Sequence, residues 1–129
     1  MEDFSSSLIT DLARLGLKEY EARVIIALVK SGRAVPASKL TSISQVPRNK
    51  IYQVLDSLIN IGIVKIDEIT GSANLYSLLY DPDKIVRVLR RKLTSPIESA
   101  TTRVLEQFDQ ISNTLVEEET VDLIHQIQI

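Results

Sequence analysis

Apolar positions recur at helical spacing through the first half of the chain, change to alternation, and then return to helical spacing. Leu8, Ile9, Leu12 and Leu15 predict a first helix, capped by the serines from Ser5 to Ser7 and stopped at Gly16. In "LKEYEARVIIALVKSG", Tyr20, Val24, Ala27 and Leu28 form the inward stripe of a second helix that Gly32 ends. Pro36 suits a first helical position, and Ala37, Leu40 and Ile43 predict a short third helix of about two turns. A fourth runs from Pro47 to Ile61, with Ile51, Val54, Leu58 and Ile61 facing inward.

The period then changes. "IVKIDEITGSANLYSL" holds two short β-rich runs around Thr70, Gly71 and Ser72, which predicts a β-hairpin with Val64 beside Ile66 on one face and Tyr76 beside Leu78. Asp81 as cap and Pro82 in the first turn open another helix. Its apolar side is Ile85, Val86, Leu89 and Leu93, and its other side carries Lys84, Arg87, Arg90, Arg91 and Lys92. "SPIE" pairs a proline with a Ser-x-x-Glu capping box, so a break or kink followed by a new helix is expected there. Beyond it Ile97, Thr101, Val104, Phe108, Ile111 and Leu115 are spaced 4, 3, 4, 3, 4, a heptad seam near the minimum length for pairing chains. At the end Val121, Leu123, His125, Ile127 and Ile129 alternate, as one face of a strand would.

Three core helices followed by a hairpin describe a winged helix-turn-helix. The predicted fold is mostly α with a small β-hairpin: a winged helix-turn-helix plus a C-terminal dimerisation helix. The expected divisions are 1–80 for the winged helix, 81–120 for the C-terminal helices, and 121–129 for a tail or orphan strand.

Composition narrows the function by exclusion. With 44% hydrophobic and 25% charged residues, the 129-residue chain has the make-up of an ordinary soluble domain. No apolar run approaches the roughly 20 residues of a membrane span, and the start lacks a secretory pattern, so a cytoplasmic protein without a membrane partner is expected. There is no cysteine, which removes disulfides and thiolate metal sites, and His125 is the only histidine. No nucleophile–base pair, phosphate loop or ligand spacing is present, so neither an enzyme, a metal site nor a cofactor is expected, and no small-molecule effector is evident.

Charge adds a partner. The net charge of −2 does not suggest nucleic acid, but its distribution does. Between Glu21 and Asp56 no acidic residue occurs, while Arg23, Lys30, Arg33, Lys39, Arg48 and Lys50 do. Beyond Arg103 there is no Lys or Arg. Such segregation puts a positive surface on an acidic chain. At the front of the fourth helix, Arg48, Asn49, Tyr52, Gln53 and Asp56 point away from the apolar face. Pro47 has no N–H, and Val46 offers no side-chain cap, so the open helix start favours a phosphate. Asn49 and Gln53 carry amides able to reach base edges. Tyr52 fits a surface contact or half-buried packing equally well. The basic run Arg87 to Lys92 fits flanking phosphate or a solvated face.

"LGLKEYEARVIIALVKSG", "VPRNKIYQVLDSLINIGIV" and "LYSL" resemble the N-terminal winged-helix domain of the TrmB-like archaeal transcriptional regulators, over roughly the first 80 residues. The resemblance implies a homodimeric regulator of double-stranded DNA, with Arg48, Asn49, Lys50 and Tyr52 at the DNA surface. Ser38, Lys39, Gln45, Gln53 and the hairpin-tip residues Gly71 and Ser72 complete the candidate surface. The seam from Ile97 to Leu115 would pair the two copies. The chain departs from the family at Gln45, where the turn often carries glycine, at Lys18, where a better cap is usual, and at Asp67 and Glu68, which make the wing acidic. Two other readings stay open: a winged-helix protein-interaction module of a larger assembly, and a chromatin-like protein that coats DNA.

Overall fold

The computed structural model describes residues 6–128, with side chains through residue 114. The elements in order are α1 (Ser6–Arg14), α2 (Glu19–Ser31), β1 (Val35–Pro36), α3 (Ala37–Ser44), α4 (Arg48–Ile61), β2 (Val64–Asp67), β3 (Leu75–Leu78) and α5 (Pro82–Gln128). The fold is a mostly helical winged helix with a small antiparallel sheet and a long C-terminal helix. The chain forms two compact units, the first ending at Arg91 and the second beginning at Lys92.

In the first unit α2 packs against α1, α3 and α4. It is the most buried helix because Ala22, Val24, Ile25, Ala27 and Leu28 cover more than one face. Leu40 of α3, Ile51, Leu55 and Leu58 of α4, and Ile63 beyond it are fully enclosed. Each such side chain contributes roughly 1.5–3 kcal/mol through removal from water. Leu8, expected on the inward side of α1, is exposed, and two further positions depart from the expected core. Tyr20 is exposed on the outer side of the first turn of α2, whose inner side carries the buried Glu21 and Ala22. Leu55, outside the expected stripe, is fully buried because β2 packs against α4 and widens its covered face.

Local chemistry sets the boundaries. Gly32 and Gly62 end α2 and α4 in the left-handed region, at φ 66° and φ 93°. Asp81 caps α5 by accepting the Lys84 N–H at 3.0 Å. Pro36 lies outside α3 instead of opening it. Its extended backbone (φ −75°, ψ 163°) makes it the last residue of β1.

The hairpin pairs Val64 with Leu78 and Ile66 with Tyr76, which puts the two expected pairs on the same face of the sheet. The sheet has three strands, however, in the order β1-β3-β2, because Val35 pairs with Tyr76 and Pro36 with Leu75. A two-residue strand that includes a proline carries no alternation to read. Proline is tolerated there because β1 is an edge strand that need not donate a second bond.

On α5 the residues Ile85 and Leu89 are buried in the first unit, whereas Val86 and Leu93 are exposed. The break expected at "SPIE" is absent: Pro96 lies inside a continuous helix, so Ser95 and Glu98 do not form a helix start. Proline deletes one N–H and crowds the preceding turn, at a cost of about 3 kcal/mol. The other hydrogen bonds of a long helix outweigh that. The expected C-terminal strand is also absent, the backbone being helical through Gln128. A helix pairs its own N–H and C=O groups, whereas a lone strand needs a neighbouring edge. In the second unit Ile97, Thr101, Val104, Phe108 and Ile111 are all exposed on the single chain. Ser5, the side chain of Leu115 and those of the tail face lie outside the described residues. Among the described residues no helix is long and apolar enough to cross a membrane.

Candidate nucleic-acid interface

The turn between α3 and α4 sets the geometry of the surface. The Gln45 N–H bonds the Thr41 carbonyl at 2.9 Å, and Gln45 then adopts φ 61°. It is the one non-glycine residue with positive φ among those described. The buried Ser44 hydroxyl accepts the Val46 N–H at 3.2 Å, and Val46 itself is fully buried. The turn is thus pinned on both sides of Gln45 without glycine. Its side chain faces outward.

Pro47 is the N-cap of α4, one position earlier than the helical start expected for it. Its carbonyl accepts the N–H groups of Lys50 at 2.9 Å and Ile51 at 3.0 Å. No side chain caps the helix. Among the described residues, no acceptor bonds the N–H groups of Arg48 and Asn49. Two open donors at the positive end of a helix, flanked by Arg48 and Lys50, favour an anion.

The side chains divide cleanly. Ile51, Leu55 and Leu58 are fully buried, whereas Arg48, Asn49, Lys50, Tyr52, Gln53 and Asp56 are exposed. Tyr52 is 57% exposed, which settles its placement as a surface residue. Ser38 and Lys39 are exposed on the first turn of α3, before the turn that leads to α4. Gly71 and Ser72 are exposed at the tip of the β2–β3 hairpin, where Gly71 has φ 77° and the Ser72 N–H bonds the Ile69 carbonyl at 3.2 Å. The structure thus brings the candidates onto a helix-turn-helix and a hairpin tip.

Tyr76 is buried on the middle strand of the sheet, β3. Burial pushes its hydroxyl above the ordinary tyrosine value. Tyr52, Asp56 and Glu68 push the same way, while a hydrogen bond with the Asn74 side chain opposes them. Tyr52 and Asp56, exposed on α4, thus act electrostatically on the middle strand of the sheet.

Two contributors went unread in the sequence. Glu21 is buried on α2, and its carboxylate accepts the Lys18 N–H at 2.8 Å and the Ser57 hydroxyl from α4. It closes the start of α2 and ties that helix to α4, so the weak capping residue Lys18 is compensated by its own backbone. The spacing Lys18-x-x-Glu21 is the detectable half of a capping box. Beside this link, Lys18 and Tyr20 share a cleft of about 450 Å³ with Lys50, Gln53 and Ser57, and Glu19 and Glu21 line it too, so the front of α2 adds charge of both signs beside α4. Among the described residues no cluster of His, Asp and Glu has the grouping of a metal site.

Residues 12–88 match the family described as the sugar-specific transcriptional regulator TrmB. The chain is 33% identical over 91 residues to the HTH-type sugar sensing transcriptional regulator TrmBL1 of Pyrococcus furiosus. That match covers 70% of this chain but 26% of the relative, so the chain spans about a quarter of its length. Among solved structures, it is similar to TrmBL2, described as an archaeal chromatin protein with a novel mode of DNA binding. The TM-score is 0.56 at 25% identity, over 94% of this chain and 42% of that one. A possible transcriptional regulator from Methanosarcina mazei Go1 shares the fold, with a TM-score of 0.58 at 14% identity, covering 80% of this chain and 88% of the other.

Proposed function

The chain belongs to the TrmB family of transcriptional regulators, and from that premise we propose that it is a homodimeric DNA-binding regulator whose α4 enters the major groove. One observation carries this reading. α4 buries Ile51, Leu55 and Leu58 on one side and presents Arg48, Asn49, Lys50, Tyr52 and Gln53 on the other, with open N–H groups at its front.

The roles follow from chemistry. Arg48 and the open N–H groups suit a phosphate at the helix start, and Lys50 suits a second. Such contacts position the protein without reading sequence. Asn49 and Gln53 each offer an amide that pairs with the N6 and N7 edge of adenine through two hydrogen bonds. Ser38, Lys39 and Gln45 flank the groove, and Gly71 with Ser72 brings the wing tip toward the backbone. Asp67 and Glu68 make that wing a poor phosphate clamp, so α4 makes most of the interaction.

The seam of α5 supplies the second copy. Ile97, Val104, Phe108 and Ile111 are exposed along one helix, an apolar stripe that a partner helix would cover.

The similarity to a chromatin protein favours a second reading, in which the same surface coats DNA with little sequence preference. Selection of bound sequences from a random duplex pool separates the two. A regulator enriches a two-fold symmetric site. A coating protein leaves the pool near its starting composition.

A further inference from the structure

We propose that two copies of the chain pair through α5 in antiparallel orientation, the basic start of each helix lying against the acidic end of the other. The proposal rests on the homodimer reading above and adds the direction and register of the pair. Its starting point is the apolar stripe. Ile97, Val104, Phe108 and Ile111 are exposed on the single chain, and the backbone stays helical through Gln128.

The two ends of the stripe carry opposite charge. Continued at the same alternating spacing of four and three, it reaches Thr94, Arg90 and Arg87 upstream and Glu118, Asp122 and His125 downstream. Neighbours along the helix cannot balance either end. Arg90 is exposed, no acidic residue stands within four positions of it, and among the described residues no carboxylate pairs with it. No Lys or Arg follows Arg103, so Glu118 and Asp122 have no cation at the three- or four-residue spacing that a helical ion pair needs.

Orientation decides whether these charges attract or repel. In a parallel pair each position of the stripe meets itself, so Arg90 faces Arg90, Glu118 faces Glu118 and Asp122 faces Asp122. Like charges held that close are unfavourable. In an antiparallel pair centred on Glu106, Ile97 meets Leu115 of the second copy, Thr101 meets Ile111 and Val104 meets Phe108, so the apolar stripe covers itself. The same register sets Arg90 opposite Asp122 and brings Arg91 near Glu119 at both ends of the pair. Opposite charges flanking a helical seam are what select partner and orientation.

The chain has no cysteine, so introduced thiols are the only ones present. Thr101→Cys and Ile111→Cys are made as separate full-length chains and oxidised alone and as an equal mixture, while sedimentation under reducing conditions reports the dimer. In the antiparallel register position 101 lies opposite 111 of the second copy, close enough for the Cα separation of roughly 4.4–6.8 Å that a disulfide requires. Two copies of either position are offset by about 10 residues, or ~15 Å, too far for the bond. The mixture should therefore form a disulfide-linked dimer, and each variant alone should not. Arg90→Glu should weaken the dimer severalfold, and Asp122→Arg added to it should restore most of the loss. Cross-linking of either variant with itself overturns the antiparallel pair and leaves the homodimer reading standing. A dimer in sedimentation whose mixture gives no cross-link, or whose second charge change restores nothing, overturns the proposed register in the same way. A monomeric unchanged chain overturns both the proposal and the homodimer reading beneath it.

Discussion

Gln45 occupies a backbone conformation, φ 61°, that costs most residues about 1–2 kcal/mol because Cβ crowds the following carbonyl. The sequence marked this position only as a turn where relatives often carry glycine. The hydrogen bonds of Ser44 and Gln45 that hold it there were not legible, because Ser44 looked like any polar residue at a helix end. Gln45→Val should lower the free energy of unfolding by about 1–2 kcal/mol, since a β-branched side chain worsens the same crowding. Gln45→Asn should stay within about 0.5 kcal/mol of the unchanged protein. Urea denaturation midpoints at constant slope check both. Tyr76 makes a second residue-scale prediction. Its hydroxyl titrates above the ordinary value of 10.0, chiefly because it is buried. As pH rises past that value, the unfolded chain releases this proton first, so stability that is complete below it declines above it. Tyr76→Phe should flatten the decline of stability above about pH 10, measured by urea denaturation across the alkaline range. An unchanged slope would mean that another group governs the alkaline limb.

At the scale of elements, the periodic patterns were legible and the ends were less so. α2 and α4 announced themselves through stripes at helical spacing closed by Gly32 and Gly62. β1 did not, since two residues cannot show a period and one of them is proline. Pro96 misled for the opposite reason: a strong local stop signal was overridden by the helix continuing on both sides. Exposure along α5 is the consequence that matters. Phe108 is 61% exposed on the single chain, in line with Ile97, Val104 and Ile111. If this stripe pairs two chains, Phe108→Glu should give a monomer in sedimentation at concentrations where the unchanged protein is a dimer. Urea denaturation of the first unit, whose core lies apart from Phe108, should keep its midpoint. A monomeric unchanged protein, or a dimer that survives the substitution, would remove the seam as the pairing element.

For the whole molecule, surface charge distribution was more informative than its sum. The acid-free stretch from Ala22 to Leu55 includes α3 and the first two turns of α4, and the net charge of −2 conceals it. Arg48, Asn49, Tyr52 and Gln53 were legible because each follows from the inward stripe by elimination, and Lys50 entered through the family resemblance. Lys18 and Tyr20 were not, since their approach to Lys50 and Gln53 depends on how α2 crosses α4, which no local pattern encodes. A two-fold dimer would carry two copies of α4, matched to half-sites about one helical turn apart, roughly 34 Å, or a multiple of it. Inserting half a turn of duplex between the half-sites should therefore weaken binding sharply in a titration by fluorescence anisotropy. Indifference to the insertion would point to independent binding of each copy.

The most direct measurement concerns the front of α4: binding of Arg48→Ala, Asn49→Ala and Lys50→Ala to a preferred and a random duplex across a salt series. If α4 is the reading element, Arg48→Ala and Lys50→Ala weaken both duplexes alike, and each reduces the salt slope by about 1 for the phosphate it no longer neutralises. Asn49→Ala instead costs about 1–3 kcal/mol on the preferred duplex, little on the random one, and relaxes preference at one base pair. Wild-type binding by all three variants to both duplexes would contradict the placement of α4 in the groove.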